Sequence, residues 1–223
     1  MAAMRAYKFY SKRWGLEALY RRRLKITTVD ELNDPFEFGA VSARIPRNRK
    51  ALSNWKKEMF SDKGLICFSR GWENPVIWSH YAQSHTGIAL GFDIQKKIAL
   101  DVQYVEKRLE LPRELQTGNK SFSDLNYGRK IVTTKFHHWA YENEVRVFSP
   151  LSDYHFENGF YFEPFDDQIT LKEVILGANY RSGGNSKLHN DLIREGVKFT
   201  TSRLAFNDFS VVHQLAKNRW KSL

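Results

Sequence analysis

The residues best placed to do chemistry lie in Trp139-Ala140-Tyr141-Glu142-Asn143-Glu144-Val145-Arg146-Val147-Phe148. A strand from Glu144 onward puts Glu144, Arg146 and Phe148 on one face and Val145 and Val147 on the other, so a carboxylate and a guanidinium share one side. Upstream, Trp78-Ser79-His80-Tyr81-Ala82-Gln83-Ser84-His85 gathers hydrogen-bonding side chains on a short helical run, and Gly87 leads from it into the apolar run from Ile88 to Phe92. A third stretch, Leu32-Asn33-Asp34-Pro35-Phe36-Glu37, adds polar groups at a turn. Taken as one site, these three stretches form a polar pocket with a single strand-borne carboxylate, Glu144.

One carboxylate is enough for a reaction that passes through an oxocarbenium-like centre, such as cleavage of the N-glycosidic bond to nicotinamide, because it can hold ribose hydroxyls and stabilise positive charge. Aromatic faces hold a nicotinamide ring by stacking, and Tyr7, Tyr10, Phe36, Trp78 and Tyr81 supply them. Competing structural readings stay open. Glu144 and Arg146 also suit a salt-bridged pair on a sheet face, Asn33-Asp34-Pro35 suits an Asx-type turn, and the aromatics suit a core.

Other chemistries fit less well. His80 and His85 lie five apart, off a common helical face, and no metal-ligand spacing accompanies them, so no metal ligands are assigned. Neither a Walker loop nor a dinucleotide-binding Gly fingerprint is present. Glu142 and Glu144 could begin a metal-dependent nuclease site, but the residue two beyond is Arg146, which cannot act as a base. Cys67, inside Gly64-Leu65-Ile66-Cys67-Phe68-Ser69, reads as a packed hydrophobe.

The elements that must position these groups follow from periodicity. Strands are expected at Ala6 to Tyr10, Leu24 to Val29, Gly64 to Ser69, Ile88 to Phe92, Val102 to Tyr104, Glu144 to Phe148, Phe160 to Phe162, Val174 to Gly177 and Val211 to Val212. Helices are expected at Gly15 to Arg23, within Arg44 to Lys63, at Val76 to Ser84, near Ile94 to Leu100, at Ile131 to Tyr141 and around Lys187 to Glu195. Residues 93–130, with a polar loop near Gln116 to Ser123, read as an insertion or flap. The fold class is α+β: a single domain over 1–223 with a central mixed, mostly antiparallel sheet flanked by helices.

Composition bounds the rest. With 223 residues and 14% aromatics the chain can bury a substantial core. One cysteine allows no internal disulfide, and the expected compartment is the cytoplasm, with no membrane association. The net charge of +10 is uneven: Lys and Arg outnumber Asp and Glu 15 to 7 in residues 1–63 and 9 to 4 in 172–223, whereas 64–171 carries 11 against 14. Basic ends favour a polyanionic partner, either nucleic acid or an acidic, antitoxin-like protein, and also serve solubility.

The ordered set AYKFY, LKITTVDELNDPFEF, LICFSR, WSHYAQSHTGIALGFD, HHWAYENEVRVF and EVILGANY resembles the bacterial domain-of-unknown-function family 2971, over roughly Tyr7 to Val212. A more distant likeness runs to ADP-ribosyltransferase-related toxins, with an aromatic, His or Arg on the first strand and a Glu on a late one. That resemblance implies an ADP-ribosyltransferase-like fold and an NAD-using toxin or phage-defence effector that modifies nucleic acid or a protein. It implies catalytic roles for Glu144, Tyr81 and His80, with Tyr7, Tyr10, Asn33, Asp34, Phe36, Trp78, Ser79 and Arg146 around NAD. The first-strand residue is ambiguous among Tyr7, Lys8 and Tyr10. The alternatives are a non-enzymatic nucleic-acid or partner-binding module of a defence system and, behind it, the metal-dependent nuclease.

Overall fold

The first strand, β1 (Ala3–Tyr10), carries small Ala6 toward one layer and aromatic Tyr7 and Phe9 toward the other, so it can be covered on both faces. The computed structural model describes residues 2–117 and 125–223. Ser11 caps α1 (Lys12–Arg21), and Arg22 ends it in the left-handed region at φ 55°. Then come β2 (Arg23–Ile26), α2 (Pro46–Met59) with proline at its first position, and β3 (Lys63–Ser69). Asn74 caps α3 (Pro75–Tyr81), accepting the Val76 N–H at 2.9 Å. The middle of the chain gives β4 (Ile88–Gln95), β5 (Leu100–Asp101), β6 (Gln103–Val105), α4 (Arg113–Thr117), α5 (Leu125–Val132) and β7 (Thr134–Phe136). A 3₁₀ turn, His137–Glu142, leads into β8 (Glu144–Pro150). The remainder is β9 (His155–Glu157), β10 (Phe160–Pro164), β11 (Ile169–Leu176), α6 (Ser186–Arg194), β12 (Lys198–Leu204) and β13 (Val211–His213).

The main sheet has eight strands in the order β13-β12-β11-β4-β1-β3-β8-β5, antiparallel except for the β11/β12 pair. β1 pairs with β4 over its whole length, from Ala3 opposite Gln95 to Tyr10 opposite Ile88. Its other neighbour is different: β1 meets β3 at one pair, Tyr7 opposite Ser69. Beyond that point β3 turns to Thr27, with two hydrogen bonds of 2.9 Å between Thr27 and Leu65, and so toward the smaller sheet β2-β10-β9. The sheet therefore opens between β1 and β3, and side chains from both strands face the opening.

Three apolar clusters hold the layers. One places α1, through Ala18 and Leu19, against Ala6, Ile88, Leu90 and Phe92. A second joins α2 and α5 to β3 through Phe38, Trp55, Leu65 and Ile131. The third lays α3 on the opposite face of β1 and β4, with Trp78 packed against Tyr7, Ala89 and Ile175. The chain is thus α+β, with a mixed, mostly antiparallel sheet flanked by helices.

Two expected helices are broken by strand pairing, the second running from the end of α5 through a short strand into a 3₁₀ turn. Ile94 stays in β4 because it pairs with Met4 on one side and Ile169 on the other, and Leu100 pairs with Arg146 in β5. The run from Ile131 to Tyr141 leaves the helix after Val132, where consecutive threonines suit an extended chain and Thr134–Phe136 pairs parallel with β6. Of the expected insertion or flap at 93–130, residues 118–124, and with them most of the loop Gln116 to Ser123, lie outside the described residues.

After α3, Gln83, Ser84 and His85 all adopt left-handed backbone (φ 48°, 52° and 66°), which folds the chain back to Gly87. A Cβ on Gly87 would lie 2.0 Å from the Tyr10 carbonyl oxygen, a backbone atom that cannot move aside without disturbing the β1/β4 pairing. Gly87→Ala is expected to lose about 2–3 kcal/mol or more, the upper end of overpacking costs. A urea midpoint within error of the wild type would show that this turn is not tightly packed against β1.

Candidate functional site

Two carboxylates are brought together by a backbone feature rather than by strand alternation alone. Asn143 closes the 3₁₀ turn in the left-handed region (φ 43°), a conformation asparagine tolerates, so that Glu142 before it and Glu144 after it both reach the Lys135 ammonium. Lys135 Nζ lies 2.7 Å from Glu142 Oε2 and 3.2 Å from Glu144 Oε2, and 3.5 Å from Glu37 Oε2. Arg146 takes Glu144 with two nitrogens, Nε at 2.9 Å and Nη2 at 3.1 Å. It also donates to Glu37 at 2.6 Å and to the Val132 carbonyl at 2.7 Å. Arg146 is 1% exposed, and Glu37, Glu142, Glu144 and Lys135 are buried with it.

Glu37 reaches this network from the turn after β2. The Asp34 carboxylate accepts the Phe36 N–H at 2.9 Å, and Phe38 is held at φ 54° by burial against Phe60, whose ring stacks 4.5 Å away. A left-handed aromatic residue carries strain that only dense packing sustains. Here it turns Glu37 inward.

Above the network lies a cavity of about 290 Å³ at the opening between β1 and β3. Tyr7, Lys8 and Phe9 line it from β1, Cys67 and Ser69 from β3, and Ile77 and Tyr81 from α3, with Glu142, Glu144 and Lys135 as its floor. Tyr81 donates to Glu142 Oε1 and accepts from Asn33 Nδ2 at 3.2 Å. Lys8 Nζ contacts the Cys67 carbonyl at 3.3 Å, with the rings of Tyr10 and Phe68 at 5.7 and 5.9 Å.

The two floor carboxylates are pushed apart in acidity. Burial works to raise both. For Glu144 the charges of Arg146 and Lys135 outweigh it and hold the group at about 2. For Glu142 burial prevails over Lys135, and the adjacent Glu144 charge adds to it, so this carboxyl titrates above the ordinary range. Burial also lowers Lys8 and raises the Cys67 thiol well above its ordinary value. Tyr7 is pushed up to about 12, by burial and then by Glu173, to which its hydroxyl donates at 3.4 Å. A carboxylate held as the anion beside one whose pKa is raised is the arrangement that divides electrostatic and acid–base roles.

Of the residues expected at the site, Glu144, Tyr81, Tyr7 and Asn33 line this cavity. The others do not. Arg146 lies beneath the floor, held by Glu144 and Glu37. Trp78 is fully buried, and its indole donates to the Trp72 carbonyl at 2.5 Å. Ser79 donates to the Pro75 carbonyl, and exposed His80 pairs with the Tyr141 hydroxyl at 2.8 Å. Tyr10 faces a different cavity beside Trp14 and Phe162. Asp34 and Phe36 line a second cavity across the Glu37–Lys135 pair, with Asp34 occupied as the turn's cap. Sequence reasoning left out Lys135, quoted Glu37 only as the end of the turn stretch, read Cys67 as a packed hydrophobe and weighed Glu142 only as one carboxylate of a nuclease site. The signal available was charge balance, since three acids on buried elements require cations beyond Arg146.

Glu144 binds its proton more weakly in the folded chain than at the ordinary value of 4.5, so the stability it contributes is present above that value and is lost as pH falls toward about 2. Glu142, shifted the other way, gives a smaller opposite slope, with stability lost as pH rises through its raised value. The urea midpoint is expected to fall between about pH 4.5 and 2, and Glu144→Gln should lower the neutral-pH midpoint and flatten this acid limb. An unchanged acid limb in the variant would show that Glu144 is not the group responsible.

No curated protein and no solved structure matches the chain. Residues 77–147, from α3 into β8 and therefore including Tyr81, Lys135, Glu142, Glu144 and Arg146, match the family model described as a protein of unknown function (DUF2971).

Proposed function

We propose that the cavity between β1 and β3 is the active site of an NAD-using transferase or glycohydrolase, in which the nicotinamide–ribose end of NAD enters the cavity and nucleic acid or protein is the acceptor. The observation that carries this reading is the pair of buried carboxylates on the cavity floor, Glu144 gripped by Arg146 and Lys135, and Glu142 held by Tyr81 and Lys135.

A volume of about 290 Å³ is at the lower end for small-molecule pockets, which suits one half of a dinucleotide rather than the whole. Tyr7 and Tyr81 offer ring surface, and exposed Asn33 offers an amide. NAD would supply the glycosidic bond that breaks, with its electron pair leaving on nicotinamide. Glu144 then faces developing positive charge on the sugar, the charge state in which a pre-placed anion acts most strongly. Glu142 accepts the proton of the attacking hydroxyl or water, and Tyr81, donating to its other oxygen, keeps the carboxylate aimed. Arg146 and Lys135 hold both acids in place without occupying the cavity.

The chief alternative is a binding module in which the charged network is purely structural, and the bidentate grip of Arg146 on Glu144 is the observation that favours it. The nuclease reading is weaker, because Lys135 sits among the three carboxylates where a metal ion would have to be.

Incubation of the protein with NAD, with and without mixed nucleic acid, should release nicotinamide. Glu144→Gln should reduce the rate at least about 100-fold, the usual loss when a transition-state charge stabiliser is removed, in a protein whose circular dichroism confirms folding. Tyr81→Phe, which leaves the ion network whole, should reduce it by a smaller factor. Wild-type activity should fall as pH drops through the raised value of Glu142. No nicotinamide release from folded wild type, or full turnover in folded Glu144→Gln, would defeat the assignment.

A further inference from the structure

On the other side of the Glu37–Lys135 pair lies a second cavity, also about 290 Å³. Its walls are aromatic and cationic: Phe36, Phe136 and Trp139, with Lys107 and Arg108 on the segment after β6. Phe36 is 62% exposed and Phe136 45%, far more than packing alone explains for rings beside a cavity. The Arg108 guanidinium lies 5.1 Å from the Phe36 ring centre and Lys135 Nζ lies 4.9 Å from that of Trp139. Phe36 and Arg108 also form one end of a larger cleft, about 760 Å³, that continues along α2 past Arg49, Lys56 and Lys57. The cleft holds one acid, Asp30, against Arg49, Lys56, Lys57 and Arg108, whereas Asp34, Glu37 and Glu106 in the cavity match its three cations, with Asp34 capping a turn and Glu37 pairing with Arg146.

We infer that this cavity and cleft bind a single strand of nucleic acid, with one unpaired base stacked in the aromatic cavity and the sugar–phosphate backbone following the cations of the cleft. Exposed rings give every base a face to stack on, and a lined row of Lys and Arg meets phosphates at the spacing a flexible strand can adopt. A duplex cannot stack a base on these rings inside the cavity without unpairing it. An acidic polypeptide would meet the cations but has no use for three rings. The inference deepens the reading above by naming the acceptor, and it places the stacked base one ion pair away from Glu142 and Glu144, since Glu37 and Lys135 line both cavities.

The test is binding without NAD. Fluorescence anisotropy with a labelled single strand of about 12 nucleotides, within the span such surfaces cover, is measured for DNA and for RNA of the same sequence, for the duplex, and in competition with polyglutamate. Single strands should bind more tightly than duplex, with affinity falling steeply as salt rises. Phe36→Ala and Arg108→Glu, both at exposed positions, should each weaken binding about tenfold. Arg108→Glu should also reduce the slope of log affinity against log salt by about 0.7. The DNA and RNA arms decide which sugar is preferred. No binding of either strand, equal binding of duplex, no effect of the two substitutions, or displacement by polyglutamate as effective as by unlabelled strand would each overturn the inference. Nicotinamide release lost with binding intact counts against the NAD site only. Release intact with no strand bound counts against this surface only.

Discussion

Taking Arg146 and Glu144 out of water costs several kcal/mol for each ion, and a buried pair recovers that only when its geometry is good and its remaining hydrogen-bonding groups are met. Arg146 has a bidentate carboxylate, a second carboxylate from Glu37 and a backbone carbonyl from Val132. Those partners come from β8, from the turn after β2 and from the end of α5. One guanidinium therefore fixes the relative positions of three segments that share no strand pairing. The strained Phe38 backbone and the left-handed Asn143 become intelligible as local distortions held in place by this demand.

The directly bonded groups are not balanced: Glu37, Glu142 and Glu144 face Lys135 and Arg146, and the Lys8 ammonium interacts with Glu144 from across the cavity. Burial first, and then the adjacent Glu144 charge, raise the pKa of Glu142, the carboxyl farthest from Arg146 in the chain of contacts. Had the aim been stability alone, apolar residues of similar volume would serve as well or better. Retaining an unbalanced charge cluster at the floor of a cavity, under a sheet whose β1/β3 pairing is reduced to a single residue pair, is an arrangement that stability does not account for.

Much of this was readable from sequence wherever periodicity was clean. β3, β4 and β8 show it, because their apolar alternation is bounded by turn residues, and Glu144 and Arg146 were placed on one face for that reason. Failure came where one run satisfied two periods. Ile131 to Phe136 fits a helix by its apolar spacing and a strand by its β-branched content, and only pairing with β6 decides it. Reading that run as helix hid Lys135 from the site. Trp78, Ser79 and His80 lie off this cavity for a different reason: adjacent residues on a short helix point in different directions, and of α3 Ile77 and Tyr81, four apart, face the opening. Phe38 and its strain have no sequence signature, since a left-handed aromatic is set by tertiary packing.

The Glu37–Lys135 pair also joins two spaces that sequence gave no reason to connect. Both side chains line the acidic cavity and the aromatic one, and both are nearly out of contact with water. Screening by salt is weak at such depth, so a charge placed in one cavity is felt in the other through a single ion pair. An anionic group entering the aromatic side competes with Glu142 and Glu144 for the field of Lys135. Glu142, whose proton is already held by burial, would then hold it more tightly still. Because Lys135 lowers the pKa of both acids, their protonation depends on what fills the neighbouring cavity, without any movement of the backbone.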